Sequence, residues 1–340
     1  MRVAIGIKAL NEAAHIEATL ASARTALARV GGGMIVLADS GSSDATVALA
    51  QRRGDVRIVQ LADPAQRSCG TGAQLAFQAI VAENGAADAH VAEYFYLLDG
   101  DMRLDPAFLA AGVAFLDAHP RHAAVGGGVR EVNVDSIEFE LRARNDRVKG
   151  SSLAGDVDRL DCGGLYRVAA VRDLGYFADR NLHAFEEFEL GARLRSAGWR
   201  LARIDVPAVE HHGHAVGGYR LMWRRLRSGY AGGPGEVVRA AWRRPHWPRI
   251  VRGFAQLHYS VIVYGWWLAL LAALVMGQGR ALVAMLLVPL AFLVVRRRSL
   301  RLGLYSLATW NVIAIGLLQG LVRPRRPPNA PIPAHDVSAA

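Results

Sequence analysis

The stretch Y94-F-Y-L-L-D-G-D-M-R-L-D-P106 decides the reading of this chain. Five aromatic or aliphatic residues run into Asp99-Gly100-Asp101, and Asp105-Pro106 has the chemistry of a helix start. A short, wholly apolar run of this kind reads as a buried strand. In extended backbone, residues two apart point the same way. The carboxylates of Asp99 and Asp101 therefore face one cation, and Gly100 permits close approach. Hard oxygen donors suit Mg²⁺ or Mn²⁺ holding a diphosphate. The bland alternative is an acidic turn that closes a strand, so the pair needs context.

That context lies upstream. Arg2–Lys8, MIVLA (34–38) and VRIVQL (56–61) read as three more strands. Amphipathic helices are expected over about 13–29 and near 72–82, and the loop DSGSSDAT places Asp44 as a helix cap. Strands alternating with helices predict an α/β fold, a mainly parallel sheet wrapped by helices. Ligands of such sheets bind beyond the carboxyl ends of the strands. The loops after Lys8, Ala38, Leu61 and Leu98 are therefore the expected site.

Composition narrows the partners. A net charge of +10 is of the sign that nucleic acid attracts, but only Lys8 and Lys149 among the 40 basic residues are lysines, and no nucleic-acid motif accompanies the charge. No nucleic-acid partner is expected. Arginines instead crowd one region, from Arg220, Arg224, Arg225 and Arg227 to Arg249 and Arg252, just before a nearly continuous apolar stretch. A juxtamembrane basic stretch is attracted to anionic lipid and marks the cytoplasmic side. Cys69 and Cys162 form no CxxC pattern, which argues against a disulfide framework or a thiolate metal site. The chain opens directly into a strand without a signal-peptide layout. A cytoplasmic membrane protein with its soluble part facing the cytoplasm is the expectation.

Beyond Val125 the pattern loosens. A helix over 136–148, a turn at Cys162-Gly163-Gly164, a helix over about 187–196 and a strand over 200–206 are expected, followed by His211, His212 and His214. The domain layout is then 1–215 soluble, 216–256 basic interfacial helices, and 257–322 with two to three membrane segments. The Pro-rich 323–340 reads as a disordered tail. The apolar segments lie near 259–276, 281–295 and 302–322; the second is short against about 30 Å of hydrocarbon.

With these pieces in order, the chain resembles glycosyltransferase family 2. IGIKALNEAAHIEATLAS, VLADSGSSDAT, YFYLLDGDMRLDP and AFEEFELGARLRSAGWRL carry the resemblance over residues 2–215. The apolar helices after them are similar to those of members that build cell-envelope polysaccharides or glycolipids. The resemblance implies a GT-A fold, Rossmann-like, and a nucleotide-sugar donor, with a uridine diphosphate sugar the commonest. It places Ala9, Asn11, Glu12, Asp39, Asp99 and Gly100 in the donor site, with Arg67 as the basic residue after the third strand. Asp99, Asp101 and His211 become the metal contacts. Glu187 takes the place of the general base, with Glu186 beside it. An acidic first helical turn favoured by the helix dipole is the structural alternative for that pair.

The implied chemistry is one in-line displacement that inverts the anomeric carbon. The metal stabilises charge on the departing diphosphate, and Glu187 takes the proton of an acceptor hydroxyl. The acceptor would be lipid-linked or membrane-associated. Two alternatives stand beside this. A polyprenyl-phosphate acceptor is already anionic and needs no base; a catalytically silent membrane scaffold would keep the fold without turnover.

Overall fold

The computed structural model describes residues 2–82, 92–132, 154–161, 163–213 and 217–338. Two compact units are present, one of residues 1–215 with 325–340, the other of residues 216–324. In the first, β1 (Val3–Ala9), α1 (Ile16–Ala28), β2 (Gly33–Asp39), α2 (Thr46–Gln51), β3 (Arg57–Leu61), α3 (Cys69–Ala82) and β4 (Tyr94–Asp99) alternate as expected. Then come β5 (Met102–Leu104), α4 (Phe108–Ala118), β6 (His122–Glu131), β7 (Gly155–Val157), β8 (Gly164–Arg167), α5 (Val168–Asp173), α6 (Glu186–Ser196) and β9 (Arg200–His211). The second unit holds α7 (Gly218–Ser228), α8 (Gly233–Ala241), α9 (Trp247–Gly253), α10 (Ala255–Val275), α11 (Gly279–Arg297) and α12 (Leu300–Val322). β10 (Ala334–Asp336) belongs again to the first.

The strand order is β10-β3-β2-β1-β4-β8-β6-β9-β5, with β7 paired to β9. β3, β2, β1 and β4 are parallel neighbours. The remainder is mixed: β8 is antiparallel to β4 and β6, and β5 to β9. The expected mainly parallel sheet thus holds only for the first half. Past β4 the chain runs β5-α4-β6 and then β7-β8-α5-α6-β9, and there, among the described residues, only β6 and β9 pair in parallel. Alternation along each strand feeds two cores. Val3, Ile5, Ile7, Tyr94 and Tyr96 pack with α1 and α4, whereas Ala4, Phe95 and Leu97 pack with α3, α5 and α6. Both faces are covered, which is why the strands read as continuous apolar runs.

Three local expectations are corrected. Asp105-Pro106 does not open α4; Asp105 caps the preceding turn, its Oδ1 accepting from the Ala107 amide at 2.8 Å, and the helix starts at Phe108. The second apolar segment is not short. It forms the 19 residues of α11, because arginines at both ends are good helix formers and extend the ladder. The tail is not disordered: Ala334, His335 and Asp336 pair antiparallel with Leu61, Gln60 and Val59. Without it β3 would present an open edge of unpaired backbone groups. The helix expected over 136–148, Cys162 and His214 lie outside the described residues.

In the second unit α10, α11 and α12 are 21, 19 and 23 residues long with mean hydropathy 1.6, 1.9 and 1.4. At about 1.5 Å per residue each is long and apolar enough to cross a membrane. These C-terminal helices are the candidate membrane anchor.

Candidate active site

Parallel pairing brings the strand ends into register. Lys8 lies beside Asp99 across β1 and β4, and Ala9 beside Asp39 across β1 and β2. Gly100 follows with no room for a side chain: a Cβ there would stand 2.8 Å from Glu12 Cγ and 3.2 Å from Ala9 Cβ. The close approach read for Gly100 is therefore to Glu12 and Ala9. The Gly100 amide donates to the Lys8 carbonyl at 3.0 Å and its own carbonyl accepts from Thr19 Oγ1 at 2.8 Å, fixing the Asp-Gly-Asp turn.

Asp39 is fully buried. Its Oδ2 accepts from the Gly41 and Ser42 amides and from Gln60 Nε2, all within 3.0 Å. Asn11 adopts φ 59°, and its Oδ1 accepts from the Ser43 amide at 2.8 Å, joining the two donor-side loops. Asp44 accepts from the Thr46 and Ala13 amides but lies one residue before Ala45, the N-cap of α2, so it braces the turn into the helix and does not cap it as expected. Glu12 is buried, and burial first, then Asp101 and Asp99, push its carboxyl up to about 8. Arg67 stands on the surface, its Nε donating to the Pro64 carbonyl at 2.8 Å. Among the described residues, no contact joins it to the carboxylates.

Lys8 is the residue that sequence reading missed. Its Nζ lies 3.1 Å from Asp99 Oδ1 and 2.7 Å from Glu186 Oε1. Burial works against its charge, but Asp99 and Glu186 hold its pKa well above the ordinary lysine range. Burial also raises Asp99, against the pull of Lys8. The signal was present, since one of only two lysines stands one residue before the end of the first strand.

α6 carries the acidic pair. Phe185 precedes it in the left-handed region at φ 67°, a strained setting for an aromatic residue, and turns the chain into the helix. Glu186 points to Lys8. Glu187 Oε1 accepts from the Gly163 amide at 3.2 Å, and Gly163 has φ 94°, a value that glycine adopts without strain. Burial pushes the Glu187 carboxyl up to about 8, Lys8 opposing and Glu186 adding to it.

At the far end of β9, His211 Nε2 lies 3.4 Å from Asp101 Oδ2, and its Nδ1 lies 2.7 Å from Glu131 Oε2. Burial lowers the His211 pKa, but the bonds to Asp101 and Glu131 outweigh it and carry the ring up to about 10. Neighbouring ligands of one octahedral cation with bonds near 2.1 Å stand about 3.0 Å apart, so Asp101 Oδ2 and His211 Nε2 would close by about 0.4 Å around such an ion. A carboxylate on the other ring nitrogen is the usual support of a metal-bound histidine. Among the described residues, no three side chains converge as a complete cage. Further ligands would be oxygens of a bound diphosphate and water.

Comparison with known proteins gives this geometry a family. The profile of Glycosyl transferase family 2 matches residues 4–175. That is half of the chain, and the chain belongs to this family. No sequence among curated proteins matches it. In fold it is similar to a Pyrobaculum calidifontis mannosyltransferase, PcManGT, solved with GDP-Man and Mn²⁺. Identity is 20%, coverage 94% of this chain and 87% of that one, and the TM-score 0.64. It is also similar to residues 1–349 of Staphylococcus aureus TarS, at 16% identity, 94% and 91% coverage and a TM-score of 0.51. The fold is that of GT-A glycosyltransferases, and the family's chemistry is glycosyl transfer from a nucleotide sugar.

Proposed function

We propose that this family 2 member transfers a sugar from a nucleoside-diphosphate donor, with inversion, to a hydroxyl of a membrane-associated acceptor, and that Glu187 is the base. The observation that carries the proposal is the division of labour in the acidic pair. Lys8 takes Glu186 into its ion pair, while Glu187, one residue on, has a pKa raised to about 8. A carboxylate poised near neutral pH is suited to accept a proton in the transition state.

Asp39, Asn11 and Glu12 line the loops at the ends of β1 and β2, where the nucleoside would lie. Asp101 and His211 would hold Mg²⁺ or Mn²⁺, oriented by Glu131, with Asp99 beside them. When bound, the metal supplies a Lewis acid for the leaving diphosphate. Glu187 takes the acceptor proton as oxygen attacks the anomeric carbon, and Lys8 fixes the first turn of α6 while this occurs. The three apolar helices hold the enzyme at the membrane where such an acceptor resides, and the arginines before them favour the cytoplasmic face.

The donor assignment is tested by thermal shift. A uridine diphosphate sugar, or another nucleotide sugar, should raise the Tm of the full chain more with Mn²⁺ than after chelation. No stabilisation by any nucleotide sugar would contradict the reading.

A further inference from the structure

The second unit begins after residue 215 and ends before residue 325, and the chain on both sides of it belongs to the first unit. The returning segment is tied there at several points. Arg325 pairs with the buried Asp179. The Arg326 carbonyl accepts from Asn181 Nδ2 at 2.9 Å, and the Ile332 amide donates to Gln78 Oε1 at 2.8 Å. β10 then extends the sheet along β3. A soluble sheet does not continue across hydrocarbon. The chain therefore re-enters on the side it left, and its number of crossings is even.

Three helices are long enough to cross, so not all of them do. We infer that α10 and α11 cross as a hairpin. α12 stays on the catalytic side and, with α7 to α9, lies in the headgroup region against anionic lipid.

Charge picks out α12. Arg249 and Arg252 precede α10, Arg296, Arg297, Arg298 and Arg301 gather where α11 ends and α12 begins, and Arg323, Arg325 and Arg326 follow α12. Where α10 ends and α11 begins, Arg280 stands alone. Arginine gathers on one side of a membrane, so both ends of α12 share the catalytic side and only the 276–280 turn lies across.

Packing agrees. Gly316 and Gly320 bring α12 against backbone: a Cβ at either would collide with the carbonyl of Ala231 or Gly232. The Tyr219 and Tyr305 rings meet edge to face at 5.2 Å, and Arg323 pairs with buried Glu236 at 2.5 Å. α12 thus meets α7, which carries Arg220, Arg224, Arg225 and Arg227, at Tyr305, and the segment from Ala231 to Glu236 between Gly316 and Arg323. Each arginine costs about 2.5–3.5 kcal/mol at the bilayer centre, so four in one short helix keep α7, and α12 beside it, at the surface. Exposed Trp223 and Trp242 are interfacial side chains of the expected kind.

This inference rests on the membrane reading but not on the donor chemistry. The test uses the full chain in sealed vesicles, with Cys69→Ser and Cys162→Ser as background and Arg53→Cys marking the catalytic side. An impermeant maleimide should reach Arg301→Cys and Asn329→Cys from the Arg53→Cys face, and Gln278→Cys only from the opposite face. Labelling of Arg301→Cys from the opposite face, or of Gln278→Cys from the reference face, overturns the inference. If a cysteine variant fails to accumulate, a protease-sensitive tag after Ala340 gives the parity by itself. It should be cut from the reference face, and protection there overturns the even count. Extraction of the unaltered chain by alkaline carbonate would sink the membrane reading as a whole.

Discussion

The ammonium of Lys8 stands 2.7 Å from Oε1 of Glu186, tying the end of β1 to the first turn of α6. Both side chains are largely shielded, at 15% and 8% exposure. Removing one partner of a shielded pair leaves an uncompensated charge. Lys8→Met should therefore destabilise the first unit by about 3–5 kcal/mol. Adding Glu186→Gln should restore part of that loss, a coupling that a double-mutant cycle in urea reads directly. Additive effects would show that the pair does not join the two elements.

Asp101 and His211 face one another at the end of β9, and the metal reading depends on both. Asp101→Asn should abolish Mn²⁺-supported turnover and the Mn²⁺-dependent part of donor binding, both measured after chelation and metal add-back. The fold should survive, with an unchanged circular dichroism spectrum. Near-normal activity in chelator-treated buffer would contradict the assignment.

The Glu187 carboxyl, raised to about 8 from an ordinary value near 4.5, predicts two pH effects. A base must be ionised, so kcat/KM should climb about tenfold per pH unit below that value and level off above it. For stability the sign is opposite. A raised folded-state pKa contributes stability that is complete below about 4.5 and lost as pH rises through about 8. Glu187→Gln should gain Tm relative to the parent as pH rises across that window. A pH-independent difference would place the carboxyl elsewhere.

Much of this site was legible because strands announce their own ends. The apolar runs at 3–9 and 94–99 stop at polar residues, and parallel pairing makes those stops neighbours, so Asp39, Asp99 and Asp101 could be placed from sequence. What one strand does not reveal is its partner's register. Lys8 reads as the last residue of a strand until pairing sets it against Asp99, and α6 then offers it Glu186. Glu131 was hidden for the same reason, lying 80 residues from the His211 it orients. The tail misled through composition: its prolines suggest disorder, yet β10 is a three-residue edge strand beginning just beyond Pro333.

Arg325 anchors the returning tail on Asp179, whose side chain is only 1% exposed. Arg325→Ala should cost about 3 kcal/mol or more, because it leaves a buried carboxylate whose remaining partners among the described residues are the amide and Nδ2 of Asn181. The urea midpoint of the full chain in detergent measures this. An unchanged midpoint would mean that the tail adds nothing to the first unit.

The central claim is that Glu187 removes a proton from an acceptor hydroxyl, and Glu187→Gln tests it most directly. The variant keeps the size of the side chain and its place over Gly163 but cannot take up the proton. A positioned base contributes about 10²–10⁴-fold. Sugar transfer by the variant should accordingly fall at least about a hundredfold, with donor affinity unchanged. Transfer at close to the parent rate with unchanged donor affinity would contradict the account, and would point instead to an acceptor that is already anionic, such as a polyprenyl phosphate.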